Sequence, residues 1–264
     1  MSWARQIHLK NPAELQIMRE AGRINAEVLA TTKELLKPGV STADLNAAAE
    51  AVLRKHRCFS PFKGYGHPPF PASITVSINR ELVHGIPSKK RKLKAGDIVS
   101  VDCGTVLEGM VADSAFTGGV GEISPEAQKL LEVTQGALKA GIEMMCVGNR
   151  TGDVSAAIQN YVESRGYYVT REYTGHGVGR QMHEGPQVPN YGKLGTGLPL
   201  KAGMTIALEP MVLVGTEETR VLPDQWTVVS ADGSLTAHFE HSVAVTEGEP
   251  LILTVPSSLP KHCV

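Results

Sequence analysis

Much of what would give this sequence an easy assignment is missing. Its four cysteines (Cys58, Cys103, Cys146 and Cys263) are scattered and form no Cys-x-x-Cys pair. A structural zinc site is therefore not expected, and free thiols fit a reducing compartment. No run of about 18 apolar residues exists, so no membrane span is expected. The opening Met1-Ser-Trp-Ala-Arg-Gln-Ile-His8 lacks the apolar core of a signal peptide. Together these features place the chain in the cytoplasm. The net charge of −1 gives no support to a general nucleic-acid role, and no DNA partner is expected. There is no Gly-x-x-x-x-Gly-Lys-Ser/Thr loop and no Gly-x-Gly-x-x-Gly fingerprint at a strand–helix junction, which leaves nucleotide binding weakly supported. With no Gly-x-Ser-x-Gly elbow and no evident Cys–His pair, covalent catalysis has little basis. Low-complexity tracts are absent too.

What is present is a repetition. Leu93-Lys-Ala-Gly96 leads into a β-rich run that reaches Asp102, the tenth residue from Leu93, and Leu200-Lys-Ala-Gly203 leads into one that reaches Glu209, the tenth from Leu200. Gly39, Thr42, Asp44, Ala47 and Ala48 return as Gly148, Thr151, Asp153, Ala156 and Ala157. The two offsets, 107 and 109 residues, nearly agree. His84-Gly-Ile-Pro87 and His183-Glu-Gly-Pro186 form a third pair in the same order. The period is too long for a solenoid. The expected architecture is therefore α+β: one domain over residues 1–264, with pseudo-twofold halves at about 12–120 and 121–250 and a short arm at 1–11. At 42% hydrophobic residues the composition is that of an ordinary globular protein.

The pattern predicts helices at 12–36, from Ser41 to about Arg57, at 125–145 and at 151–165. Pro and Gly make 59–72 a loop. Strands are expected at 73–78, 167–173, 204–214, 226–230 and 236–246. Residues 97–117 read as a hairpin turning at Glu108-Gly109. In a two-residue turn, position 102 faces 115 and Asp113 lies diagonally beside Asp102 on one face, roughly 7–8 Å away. A slip of one residue would separate them.

Acids at the ends of apolar strands are costly to bury unpaired, so Asp102 and Glu209 at repeat-equivalent places suggest one shared site. Glu240 follows Glu209 as Asp113 follows Asp102. A lone acid is more often a cap, turn or surface group, and a lone histidine more often a core or loop residue. The repeat favours function for His84 and His183. Glycines on both sides of His176 permit close backbone approach to a ligand, although a Gly-flanked histidine also suits a plain loop.

The order Asp102, Asp113, His176, Glu209, Glu240, with His84 and His183 beside it, resembles the type I methionine aminopeptidases. These are pita-bread metallopeptidases whose halves surround a central antiparallel sheet. The likeness runs from about Pro12 to Leu253 and includes Ser77-Ile-Asn79, Glu172-Tyr-x-Gly-His-Gly-Val-Gly-Arg180, Glu209-Pro-Met211 and Glu240-His241. It implies that Asp102, Asp113, His176, Glu209 and Glu240 hold two divalent metal ions bridged by water or hydroxide. Mn²⁺, Fe²⁺ or Co²⁺ suit such an oxygen-rich set, and the resemblance also allows for a monovalent cation. It further implies that Glu209 shuttles the proton, that His183 bonds the substrate carbonyl oxygen and that His84 contacts the released nitrogen. If both histidines must be neutral, rates should fall as the pH drops through about 6.5.

By the same resemblance, Phe62, Tyr65, Phe70, Met182 and Trp226, with His84 and His183, line a methionine pocket. Ordinary packing is the alternative for each of the five. Phe62 stands where relatives carry a smaller Cys, and Gly66-His-Pro-Pro69 adds two residues, so a narrower pocket is expected. The chain lacks a zinc-binding N-terminal extension and resembles the minimal bacterial form. The implied substrates are nascent polypeptide N-termini with a small second residue, and a monomer is expected. Xaa-Pro aminopeptidases and prolidases share these ligands, and a catalytically inactive binding protein on the pita-bread scaffold is a third reading. Ser88-Lys-Lys-Arg-Lys-Leu-Lys94 is either a solvated loop or a ribosome contact.

Overall fold

The computed structural model describes residues 6–256. Met1–Arg5, in the expected arm and signal region, and Cys263 lie outside the described residues. Asn11 caps the first helix, α1 (Pro12–Glu34), through a capping box with Glu14, and Pro12 fills its first turn. Ser41 and Asp44 cap α2 (Thr42–Lys55) in the same way. Next come β1 (Thr75–Ile78), β2 (Glu81–Val83) and the long hairpin β3 (Ile98–Leu107) and β4 (Met110–Gly119). Helices α3 (Pro125–Glu143) and α4 (Thr151–Glu163) follow. The rest is β-rich: β5 (Tyr168–Val169), β6 (Thr174–Gly177), β7 (Glu184–Pro189), β8 (Thr205–Leu208), β9 (Met211–Leu213), β10 (Thr219–Val221), β11 (Val228–Ser230), β12 (Thr236–His238), β13 (Glu240–Ala244) and β14 (Leu251–Ile252).

The main sheet has the order β1-β3-β4-β13-β8-β6-β7, with β14 beside β13, and every pairing in it is antiparallel. The strands that meet at its centre, β4 and β13, come from different halves of the chain. An apolar cluster that includes Val28, Leu45, Leu53, Ile74, Val99 and Val101 fastens α1 and α2 to the first half. Another, including Leu130, Val133, Ile158, Ile206, Leu208 and Val243, does the same for α3 and α4. Each fully buried Leu or Ile contributes roughly 1.5–3 kcal/mol. The α+β expectation holds.

Three expectations are corrected. Residues 204–214 do not form one strand: β8 stops at Leu208, and Glu209-Pro210 interrupts the ladder before β9, because proline supplies no N–H. Residues 236–246 likewise break at Phe239 between β12 and β13. Of 167–173, only Tyr168 and Val169 pair. The hairpin register is as expected, with Asp102 opposite Ala115 and Gly104 opposite Asp113.

The arm before α1 is stitched beneath β7. Gly185 N–H donates to Gln6 O at 2.9 Å, and Lys10 N–H donates to Gly203 O at 2.7 Å. The Lys10 ammonium pairs with Glu184, both side chains only 1% exposed. Burial lowers the Lys10 pKa while its partner opposes that shift. Glu184 also accepts from Gln181 N–H at 2.9 Å, which fixes the turn carrying His183.

Candidate metal and peptide site

Each acid is placed by backbone that is itself held. The Ser242 hydroxyl accepts from Asp113 N–H and donates to Asp113 O, both at 2.8 Å, and so joins β4 to β13. Asn25 of α1 braces the back of the hairpin, donating to the carbonyls of Cys103 and Ala112. The Asn190 amide donates to Glu209 O at 3.0 Å, supporting the break after β8. His176 lies mid-β6, and a Cβ at Gly177 would come within 2.2 Å of Gly185 O. Its flanking glycines therefore let β7 approach. His84 has φ 61°, a left-handed conformation uncommon outside glycine and found where function constrains the chain.

These side chains converge on one cavity of about 300 Å³, bounded by Asp102, Asp113, His176, Glu209 and Glu240 together with His84 and His183. Ligand atoms of Asp113, His176 and Glu240 lie within 4.8 Å of one another. His176 Nε2 is 3.4 Å from Glu209 Oε1 and 4.0 Å from Asp113 Oδ2. Its Nδ1 sits 2.9 Å from Gly177 O. A carbonyl only accepts, so Nδ1 carries the proton and Nε2 turns a lone pair towards carboxylate oxygens. That tautomer suits a metal ligand and is repulsive without a cation.

The electrostatics agree. Burial, then the neighbouring charges of Asp113 and Glu209, pushes Asp102 well above the usual carboxylate range. Burial, then Asp113, does the same to Glu209, and Glu240 is raised by burial, Asp113, Glu209 and Asp102 in turn. Burial moves Asp113 up to about 7. Asp102 Oδ1, Asp113 Oδ1 and Glu240 Oε1 are buried with no hydrogen-bond partner among the described residues. Crowded, dry acids with orphaned oxygens need cations to ionise together, so the residues present fit a divalent-metal centre. Burial lowers the pKa of His84 and His183 to about 4 and that of His176 to about 3. Burial thus favours the neutral imidazole at both His84 and His183.

The other wall is aromatic. Phe62, Tyr65, Phe70, Met182 and Trp226 all border the cavity. Phe70 meets Trp226 edge-on at 5.2 Å, and Trp226 lies 6.1 Å from the His84 ring.

The model of metallopeptidase family M24 matches residues 16–247. The chain is an M24 metallopeptidase. It is 51% identical over 249 residues to the methionine aminopeptidase of Clostridium acetobutylicum, covering 94% of this chain and 99% of that one. The crystal structure of methionine aminopeptidase from Thermotoga maritima superposes with a TM-score of 0.92 at 44% identity, covering 94% and 99% of the two chains. The prolidase from Pyrococcus furiosus shares the fold with a TM-score of 0.74 at 21% identity, and this chain spans 66% of it.

Sequence reasoning missed several residues of the M24 cavity, among them Thr75, Tyr173 and Gln187. It also missed His238, whose Nε2 is buried without a partner 3.7 Å from both Glu209 Oε2 and Glu240 Oε2. A signal was available: two residues apart in an extended run, His238 and Glu240 share a face. Tyr173 stood inside the Glu172–Arg180 motif and Gln187 directly after His183-Glu-Gly-Pro186, but neither motif gave them a role. Cys103 is buried and its thiol is pushed well up by burial, which makes it a poor nucleophile.

Proposed function

We propose that this M24 metallopeptidase removes the N-terminal methionine from nascent proteins and peptides whose second residue is small. What carries this reading is one cavity in which four carboxylates and an imidazole face a largely aromatic wall. The near full-length likeness to methionine aminopeptidases supports it. Asp102, Asp113, His176, Glu209 and Glu240 would hold two divalent ions, with Mn²⁺, Fe²⁺ or Co²⁺ suiting the donor set. When bound, such ions lower the pKa of water and polarise the scissile carbonyl.

The chain's own residues do the rest. Glu209 lies at a strand end on the cavity, where it can take a proton and return it to the leaving amine. Neutral His183 donates to the carbonyl oxygen as negative charge develops. His84, also neutral, contacts the departing nitrogen. Phe62, Tyr65, Phe70, Met182 and Trp226 receive the methionine side chain in an apolar pocket, where sulfur–aromatic contacts are favourable.

The setting follows from smaller observations. Cys58, Cys103 and Cys146 are free, which suits the cytoplasm. In the basic loop, Arg91 is held by Glu81 and donates to Val76 O and Ile86 O, while Lys89, Lys90, Lys92 and Lys94 are exposed. Those four lysines are the candidates for ribosome contact. Replacing them with alanine should weaken ribosome binding and flatten its salt dependence; unchanged binding removes this role.

The deciding assay supplies chelator-stripped protein with Met-Ala-Ser or Ala-Pro-Ala, with and without each metal, and weighs the released amino acid by mass spectrometry. Metal-dependent release of Met from the first peptide alone is expected. Cleavage of only the second would move the assignment to Xaa-Pro specificity. No cleavage of either by metal-loaded protein would favour a binding role.

A further inference from the structure

The Tyr65 hydroxyl lies 2.8 Å from His183 Nδ1. A neutral imidazole carries one N–H, and the partner of one nitrogen determines which nitrogen keeps it. The other face of the contact indicates the choice. The His183 ring lies 4.4 Å from that of His176, beside the acids of the metal site. The substrate carbonyl oxygen that His183 is proposed to meet can only accept, so the nitrogen that faces it must carry the proton. We propose that Tyr65 is a positioning residue for the reaction: its O–H donates to His183 Nδ1, leaving the proton on Nε2 for the substrate carbonyl oxygen. This rests on the role for His183 proposed above.

Tyr65 is well placed for this and poorly explained as mere packing, because 44% of it is exposed. Its position comes from a braced loop. Gly64 N–H donates to Phe70 O and Phe70 N–H to Tyr65 O, both at 2.8 Å, and Tyr65 N–H donates to Phe62 O at 2.9 Å. Trp226 Nε1–H donates to Pro68 O at 3.0 Å, tying the loop to the neighbouring residue of the aromatic wall. Gly66 has φ 75°, and a Cβ there would lie 2.5 Å from Trp226 Cη2. The loop that lines the side-chain pocket thus also orients the group that meets the scissile carbonyl.

Tyr65→Phe keeps the ring and removes only the hydroxyl. With Met-Ala-Ser and Mn²⁺, kcat should fall by about two- to tenfold, the loss of one hydrogen bond, with KM unchanged. The second readout is the ¹⁵N–¹H correlation pattern of the His183 imidazole in protein loaded with diamagnetic Zn²⁺. The parent protein should carry its proton on Nε2, and Tyr65→Phe should spread it over both nitrogens. A parent proton on Nδ1, or a pattern unchanged in Tyr65→Phe, overturns the proposal whatever the rate. His183→Ala, measured alongside, separates the two levels. If His183→Ala is crippled and Tyr65→Phe is normal, only the positioning role fails. If His183→Ala turns over normally, the role of His183 and that of Tyr65 fail together.

Discussion

Asp102 and Glu209 stand at the same place in a repeated motif, yet the fold treats them differently. Asp102 lies within β3, a ten-residue strand paired along its whole length with β4. Glu209 lies just beyond β8, a four-residue strand, and is followed by Pro210. The Asp102 backbone is therefore fixed on both sides by ladders, whereas Glu209 ends one, with its side chain 14% exposed. The partner acids differ in the same sense: Asp113 is inside β4, and Glu240 opens β13 after the break at Phe239. The first-half acids thus sit inside long paired strands, whereas the second-half acids sit beside interruptions of theirs, which suits the proton-shuttling role proposed for Glu209.

The sharpest way to break this comparison is to neutralise each acid in turn. Glu209→Gln should reduce kcat by about 10²-fold or more while unfolding remains cooperative at a similar temperature. Asp102→Asn should instead act first on metal affinity, read by titration calorimetry. Equal metal affinities and equal rates in the two variants would erase the distinction.

Next in size is the response to metal and pH. Without cations, burial raises Asp113 to about 7 and carries Asp102, Glu209 and Glu240 well above their unfolded values. Their protonated forms stabilise the fold at low pH, and that contribution is lost as the pH rises through about 7. Metal binding should therefore release protons and should stabilise the protein more at pH 7 than at pH 5. The gain is about 2.7 kcal/mol when free metal is a hundred times its Kd. Equal gains in thermal unfolding temperature at the two pH values would contradict this.

The buried histidines act in the opposite direction. His84, His183 and His241 are depressed to about 4 by burial, and His176 and His238 to about 3. The unfolded chain takes up their protons first, so stability is full above about 6.5 and declines as the pH falls towards 4. Each contributes up to about 1.4 kcal/mol per pH unit in that window. Denaturant titrations of the metal-loaded protein at pH 7, 6 and 5 should display the decline.

The smallest effect is expected at the pocket. Gly66→Ala should lower kcat/KM for methionine peptides by about tenfold or less, since Trp226 must shift, and it should leave metal affinity alone. A change in metal affinity would mean that the two walls of the site are not separable.

The legible parts of the sequence were those where local rules and tertiary structure agree. The capping box at Ser41, the Pro12 helix start and the Glu108-Gly109 turn each fix their element from within a few residues. The hairpin register followed from the turn, and with it the shared face of Asp102 and Asp113. What was not legible depends on distant partners. β6 is Thr-Gly-His-Gly, a composition that discourages a strand reading, and it forms because β7 and β8 clasp it. The breaks at Pro210 and Phe239 interrupt runs that look continuous by alternation alone. His238 went unnoticed because its significance is the pair of carboxylates beside it, one of them 29 residues earlier in the chain. The functional assignment itself came from the family resemblance; the residues alone gave only a shortlist of acids and histidines.

The stitched arm has a consequence for synthesis. Lys10 leaves the ribosome early but meets its counter-charge only at Glu184, 174 positions later, and Glu240 comes later still. Closing so long a loop costs chain entropy that only the finished contacts can offset. A growing chain therefore carries Asp102 and Asp113 before Glu209 and Glu240 exist to face them, so the cavity that these acids border can close only when most of the chain has been made.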